Sequence, residues 1–116
     1  MNVQFDTTKK AIPQGDMYLI PVLEIAPDAT PVKPQNGRYI LTHSETGHHH
    51  VVMERPDVRQ YDWLDQFRGF LELSEDALLE HLRSHDTHET QFVPAGKYLI
   101  VRQATYTPVG WERARD

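Results

Sequence analysis

The chain has 116 residues, of which 39% are hydrophobic and 25% are charged, so it is long enough for one globular domain and too apolar for a disordered one. Its formal net charge of −5 argues against nucleic acid as a partner. The absence of cysteine excludes disulfides and thiolate metal ligands. No apolar run reaches the roughly 18 residues of a membrane span, and residues 1–6 do not resemble a signal peptide. We therefore expect a single domain over residues 1–116, located in the cytoplasm and without a membrane partner.

The first half of the chain is predicted to contain three strands separated by turns. The residues between the second and third strands, 44–47, have the length and the glycine of a four-residue hairpin loop. Pro21 removes a ladder donor from the first strand, which marks an edge position or a bulge there. In chain order, the predicted elements are a turn at 13–16, a strand at 17–25, an irregular loop at 27–37, and strands at 38–43 and 48–54.

The second half of the chain contains the one predicted helix, at about 74–84. Ser74 can cap its first free amides, and Glu75 and Asp76 suit the positive end of the helix dipole. The other predicted elements are an irregular segment at 55–66, a short strand at 70–73, a second hairpin of 91–93 with 97–102, and a loop from Tyr106 onward. The pattern predicts a mainly β fold, a small β-barrel or β-sandwich with one short helix.

The histidines are concentrated in the middle of the chain. There are seven of them, and all lie between His43 and His88. They fall into two clusters separated by about thirty residues, and the members are His43, His48, His49, His50, His81, His85 and His88. Clustered imidazoles in a chain without cysteine indicate a metal site.

The first cluster lies on a predicted strand. His48 and His50 are two residues apart, so their side chains leave the same face roughly 6.5–7 Å apart. That spacing lets two imidazoles converge on one ion at Zn–N distances of roughly 2.0–2.1 Å. His43 faces His48 if the hairpin loop closes as predicted, whereas His49 points the other way. For His43 and His49 we prefer a structural role, although a one-residue change in register would exchange these assignments.

The second cluster has helical spacing. His81, His85 and His88 are at positions i, i+4 and i+7, which form one stripe if the helix continues through Asp86. If the helix ends near Arg83, His85 and His88 lie instead in the loop that enters the next strand. The carboxylates that could orient an imidazole or bind the ion are Glu54, Asp86 and Glu89.

Four segments resemble a family of uncharacterised small proteins from bacteria and phages. That family carries Gly-His-x-His, a later His-x-x-His, a Pro-x-Gly-x-Tyr turn and a Gln-x-x-Tyr-x-Pro ending. The corresponding segments here are Gly47-His48-His49-His50, His85-Asp86-Thr87-His88, Pro94-Ala95-Gly96-Lys97-Tyr98 and Gln103-Ala104-Thr105-Tyr106-Thr107-Pro108. The segment before the later histidine pair is longer than in the family, so His81 is an alternative to His85. The resemblance implies no activity, and a phage-encoded member would act in the host cytoplasm.

A more limited resemblance is to the cupins. His48-x-His50 followed by Glu54 is similar to the first cupin metal motif, and Pro94-Ala95-Gly96 is similar to the turn of the second. Cupins carry a fourth ligand, a histidine, soon after that turn. No histidine follows Gly96 in this chain.

The leading functional hypothesis is a metal-binding β protein in which His48, His50, His85 and His88 hold a divalent ion, zinc before others. Four protein ligands would make the ion structural, whereas three ligands and a water could activate that water. This hypothesis assigns neither an enzymatic role nor an oligomeric state. The alternatives are a metal-free phage or mobile-element accessory protein that binds and modulates a host protein, and a cupin-like metalloenzyme with Glu54 as a ligand.

Overall fold

The computed structural model describes residues 3–15, 17–42, 49–81, 90–102, 104–107 and 110–113. The strands in chain order are β1 Ile12–Gln14, β2 Met17–Val22, β3 Thr30–Val32, β4 Arg38–Thr42, β5 His50–Met53, β6 Val58–Trp63, β7 Asp65–Leu73, β8 Ala77–His81, β9 Thr90–Val93, β10 Gly96–Arg102, β11 Ala104–Thr107 and β12 Gly110–Arg113. Within these ranges there is no helix, and hence none long and apolar enough to cross a membrane.

The strands form two main antiparallel sheets. The larger has six strands in the order β1-β2-β10-β7-β6-β3, and the smaller has four in the order β4-β5-β8-β9. Strands β11 and β12 pair only with each other among the described strands. Neither main sheet closes on itself over the described residues, so the architecture is consistent with a β-sandwich. The predicted mainly β fold class is therefore confirmed.

The main core lies between the two sheets. Alternate residues of the inner strands point into it, as the two-residue period of a strand requires. The six-stranded sheet contributes seven of its buried residues and the four-stranded sheet five, in chain order Met17, Leu19, Leu41, Val52, Val58, Leu71, Leu73, Ala77, Leu79, Val93, Tyr98 and Ile100.

A second, smaller cluster covers the opposite face of the six-stranded sheet. Its buried members are Val22, Trp63, Phe70 and Leu99, and residues of the N-terminal segment and of the loop after β2 pack against it. The Trp63 indole donates to Asp28 Oδ1 at 2.8 Å, which ties that loop to the sheet. The central strands of this sheet are thus buried on both faces.

The predicted helix at 74–84 is wrong over its described part, because Ala77–His81 forms strand β8. The Arg55 guanidinium donates to the carbonyls of Glu75 and Asp76 at 3.0 and 2.8 Å, and Asp57 accepts from the Glu75 amide at 3.0 Å. These side chains hold the turn before β8. The backbone amides of β8, which a helix would have paired within itself, pair instead with β5 and β9.

The two hydrogen bonds from Arg55 keep the pKa of the Asp57 carboxyl below its usual value.

Other differences from the predicted elements involve extra strands. The segment predicted as irregular contains β6, β7 begins five residues before the predicted strand at 70–73, and the predicted C-terminal loop contains β12. The predicted second hairpin does not form. β9 pairs with β8 while β10 pairs with β2 and β7, so the Pro94–Ala95 connection passes from one sheet to the other.

Candidate metal site

The two histidine clusters belong to two connections at one end of the four-stranded sheet. The residue pairs at that end are Thr42 with His50, His50 with His81, and Glu80 with Thr90. The chain between β4 and β5 and the chain between β8 and β9 therefore leave from and return to neighbouring strand ends. Residues that are far apart in the sequence are anchored side by side by this pairing.

His50 is the first residue of β5 and is wholly buried, with 0% of its surface exposed. It lies on the same face as Val52, which packs in the core between the sheets. Its Nδ1 atom lies 2.6 Å from Oε1 of Gln14, a buried residue at the end of β1 in the opposite sheet. The amide nitrogen of Gln14 in turn donates to the Leu79 carbonyl at 3.3 Å. His50 is thus held by a polar chain that joins the two sheets.

His81 is the last residue of β8, and its Cα atom is the direct register partner of the His50 Cα atom. The sequence assigned His81 to a helix and gave it as an alternative ligand. Its backbone position beside His50 follows instead from the pairing of two antiparallel strands.

The remaining predicted ligands lie outside the described residues. They are His48, His85 and His88, together with the alternative His43. His49 is described, is half-buried and precedes β5. Among the described residues alone, no three histidine or carboxylate side chains form a group that could hold a metal ion.

Glu54 is separated from His50 by the length of β5. Four residues of extended chain span roughly 13 Å, and Glu54 is exposed beyond the opposite end of that strand. At that separation the two side chains do not share an ion, so the geometry does not favour a cupin-like ligand set.

Gln14 is a site residue that sequence reasoning missed. The sequence assigned it to the turn that surrounds Gly15, whereas the strand continues through Gln14 and the turn begins at Gly15, which has a positive φ of 57°. The available signal was a glutamine between the turn glycine and the apolar residue Ile12, a position that alternation places on a buried face of a strand.

The structure also contains a polar cavity of about 620 Å³. Its charged lining residues are the three carboxylates Asp28, Asp62 and Asp65 and the buried Arg102. Arg102 is held by donating to the Leu41 carbonyl at 2.8 Å and the Gln66 carbonyl at 3.4 Å. No described histidine lines this cavity.

The fold and this site define an all-β protein with two antiparallel sheets and a histidine-rich end. Residues 13–103 match the family described as Domain of unknown function (DUF8820), and the chain belongs to that family. The match covers both histidine clusters and both main sheets except Ile12 at the start of β1. No curated protein and no solved structure gives a significant match to the chain.

Proposed function

We propose that this protein binds one divalent metal ion, zinc before others, at the histidine-rich end of its four-stranded sheet. The observation that carries the proposal is the pairing of His50 with His81, which anchors the two histidine clusters at neighbouring strand ends. Directly opposed residues of an antiparallel pair have Cβ atoms about 5 Å apart, a separation from which two imidazoles can reach one ion.

The proposed ligands come from both connections. His48 and His50 would supply two imidazoles from the β4–β5 side, and His85 and His88 would supply two from the β8–β9 side, with His81 as the alternative to His85. Four neutral imidazoles suit zinc, which accepts nitrogen ligands in a tetrahedral arrangement. With this set the ion is structural and holds the two connections together. With three ligands and a water it would instead activate that water.

The test compares zinc content and thermal stability of untagged protein before and after chelation. We expect close to one zinc per chain by elemental analysis and native mass spectrometry. An ion present at a hundredfold excess over its Kd contributes about 2.7 kcal/mol to the unfolding free energy, which corresponds to a rise in Tm of roughly 10 °C in a chain of this size. Folded protein that contains no metal and takes up no zinc would refute the proposal.

The variants for this test avoid the buried histidine. Replacing His50 would leave a hole in the core and destabilise the fold whether or not a metal binds. The double variant His48→Ala with His88→Ala removes one proposed ligand from each connection, and we expect it to lose both the zinc and the chelator-sensitive part of the Tm. His49→Ala is the matched control, because it removes a neighbouring histidine that the proposed ligand set does not include.

A second candidate function is a metal-free interaction protein, such as a phage or mobile-element accessory that binds a host protein. The outer face of the four-stranded sheet favours it, because large apolar side chains stand there in one row across three strands. Leu78 pairs with Phe92, and Met53 lies one step beyond the Val52–Leu79 pair. The exposed fractions are 52% for Met53, 53% for Leu78 and 60% for Phe92. If the folded protein takes up no zinc, the interaction protein becomes the leading functional candidate.

A further inference from the structure

The orientation of the Gln14 amide follows from its partner on β8. A backbone carbonyl oxygen only accepts hydrogen bonds, so the amide atom that faces the Leu79 carbonyl at 3.3 Å is the NH2 group. The amide oxygen Oε1 therefore faces His50. This assignment depends on the chemistry of the partner and not on how the two amide atoms are distinguished.

The same logic fixes the proton on His50. Gln14 Oε1 only accepts, so the His50 Nδ1 atom that lies 2.6 Å away carries a hydrogen and donates it. In a neutral imidazole with its proton on Nδ1, the lone pair is on Nε2. Metal ions bind neutral imidazole through the unprotonated nitrogen.

We propose that Gln14 is the positioning residue of the metal site: it holds His50 as the Nδ1–H tautomer and so presents Nε2 as the ligand atom. This inference rests on the proposed metal-binding function. In known metal sites the second nitrogen of a ligating histidine usually donates to a carboxylate or carbonyl oxygen, and loss of that partner typically weakens metal binding 10–100-fold.

The fold gives Gln14 this position through the turn at Gly15. β1 pairs with β2 so that Gln14 lies opposite the core residue Met17. The buried amide at this point forms hydrogen bonds with one group on each of two strands of the facing sheet, the His50 ring on β5 and the Leu79 carbonyl on β8. An apolar residue of equal size would remove both of these hydrogen bonds, which explains a glutamine at this core position.

The test uses Gln14→Met, which keeps the length of the side chain and removes both hydrogen bonds. The first readout is the tautomer of His50, from the nitrogen-15 shifts of the ring in metal-free protein. The second is the zinc Kd from competition with a chromophoric chelator. We expect the Nδ1–H form in the wild type, and in Gln14→Met a shift toward the Nε2–H form with zinc binding 10–100-fold weaker.

Gln60→Met is the matched control. Gln60 is also a buried glutamine whose amide donates to a carbonyl of the facing sheet, that of Ile40 at 3.1 Å, and this hydrogen bond does not involve a histidine. We expect this variant to lose stability as Gln14→Met does while leaving the His50 tautomer and the zinc Kd unchanged. That difference separates positioning from a general loss of packing.

Three results would overturn the inference, and the third is distinguishable from the first two. A wild type with its His50 proton on Nε2, or a Gln14→Met variant with unchanged tautomer and unchanged zinc Kd, refutes the role of Gln14 and leaves the metal site intact. A wild type that takes up no zinc refutes the proposed function, and the assignment of Nε2 as a ligand atom fails with it.

Discussion

At the scale of single residues, Tyr98 shows how one polar atom is accommodated in the core. Its ring packs between the sheets, and its hydroxyl donates to the Pro94 carbonyl at 2.6 Å, four residues back along the chain. Burial raises the pKa of the Tyr98 hydroxyl above its usual value, and the Asp76 carboxylate raises it further. Both effects favour the neutral phenol in the folded state.

This raised pKa predicts a loss of stability at alkaline pH. The contribution of the neutral phenol is complete below the unfolded pKa of about 10 and is lost as the pH rises through the folded pKa. Tyr98→Phe removes the hydrogen bond, so we expect a cost of about 1 kcal/mol at pH 7 and a smaller decline in unfolding free energy above pH 10. Denaturant unfolding at pH 7 to 11 measures both. Tyr39→Phe, at a half-buried tyrosine against the same core, is the control, and equal alkaline declines in all three proteins would contradict the prediction.

At the scale of elements, β8 shows where a local pattern is overridden by its surroundings. Ser74 followed by two acids and a leucine pair predicts the start of a helix. In the folded chain Ala77–His81 instead lies between β5 and β9, and both sides of its backbone pair with neighbouring strands. Helix propensity contributes a few tenths of a kcal/mol per residue to the free energy of folding. Backbone pairing on both sides of the strand and burial of one of its faces contribute more.

Neighbouring leucines of β8 give a direct test of strand against helix. In a strand Leu78 and Leu79 point to opposite faces, and Leu79 is wholly buried while Leu78 is half exposed. We expect Leu79→Ala to lower the unfolding free energy by about 2–5 kcal/mol and Leu78→Ala by less than about 0.5 kcal/mol. Chemical denaturation of the two variants measures the difference. Comparable losses at both positions would instead indicate the predicted helix, with both leucines on one buried side.

The sequence was sufficient to predict the strands with a clear alternation of apolar and polar residues. It was also sufficient to single out the histidines that carry possible metal-donor atoms. Strands β2, β4 and β5 lie within predicted strands, and β10 begins one residue before its predicted strand, because turn residues flank all four on both sides. The sequence also singled out His50 and His81, whose strand pairing it did not specify. Pairing partners and Gln14 could not be predicted, since both depend on contacts between residues far apart in the chain.

At the scale of the whole molecule, the six-stranded sheet is covered on both faces. One face packs on the four-stranded sheet, and the other is covered by the N-terminal segment and the loop after β2. The amides of Asp6 and Leu23 form hydrogen bonds that continue the sheet past Pro21, with Asp6 donating to the Pro21 carbonyl at 2.9 Å. A residue's amide and carbonyl point the same way in a strand, so the donor that Pro21 lacks faces this segment and not β10.

Adjacent residues of β7 test whether this outer cover is a true core. Leu71 points between the sheets, whereas Phe70 points to the opposite face. There the ring of Phe70 packs against that of Trp63, and the two ring centroids are 5.1 Å apart. Since both are wholly buried, we expect Leu71→Ala to cost about 2–5 kcal/mol and Phe70→Ala about 3–5 kcal/mol. Leu23→Ala, at a half-exposed position of the covering loop, is the control and should cost far less. Equilibrium unfolding in urea measures all three. A loss below about 1 kcal/mol for Phe70→Ala would mean that the N-terminal segment and the loop rest on this face without stabilising it, and that the fold depends on the inter-sheet core alone.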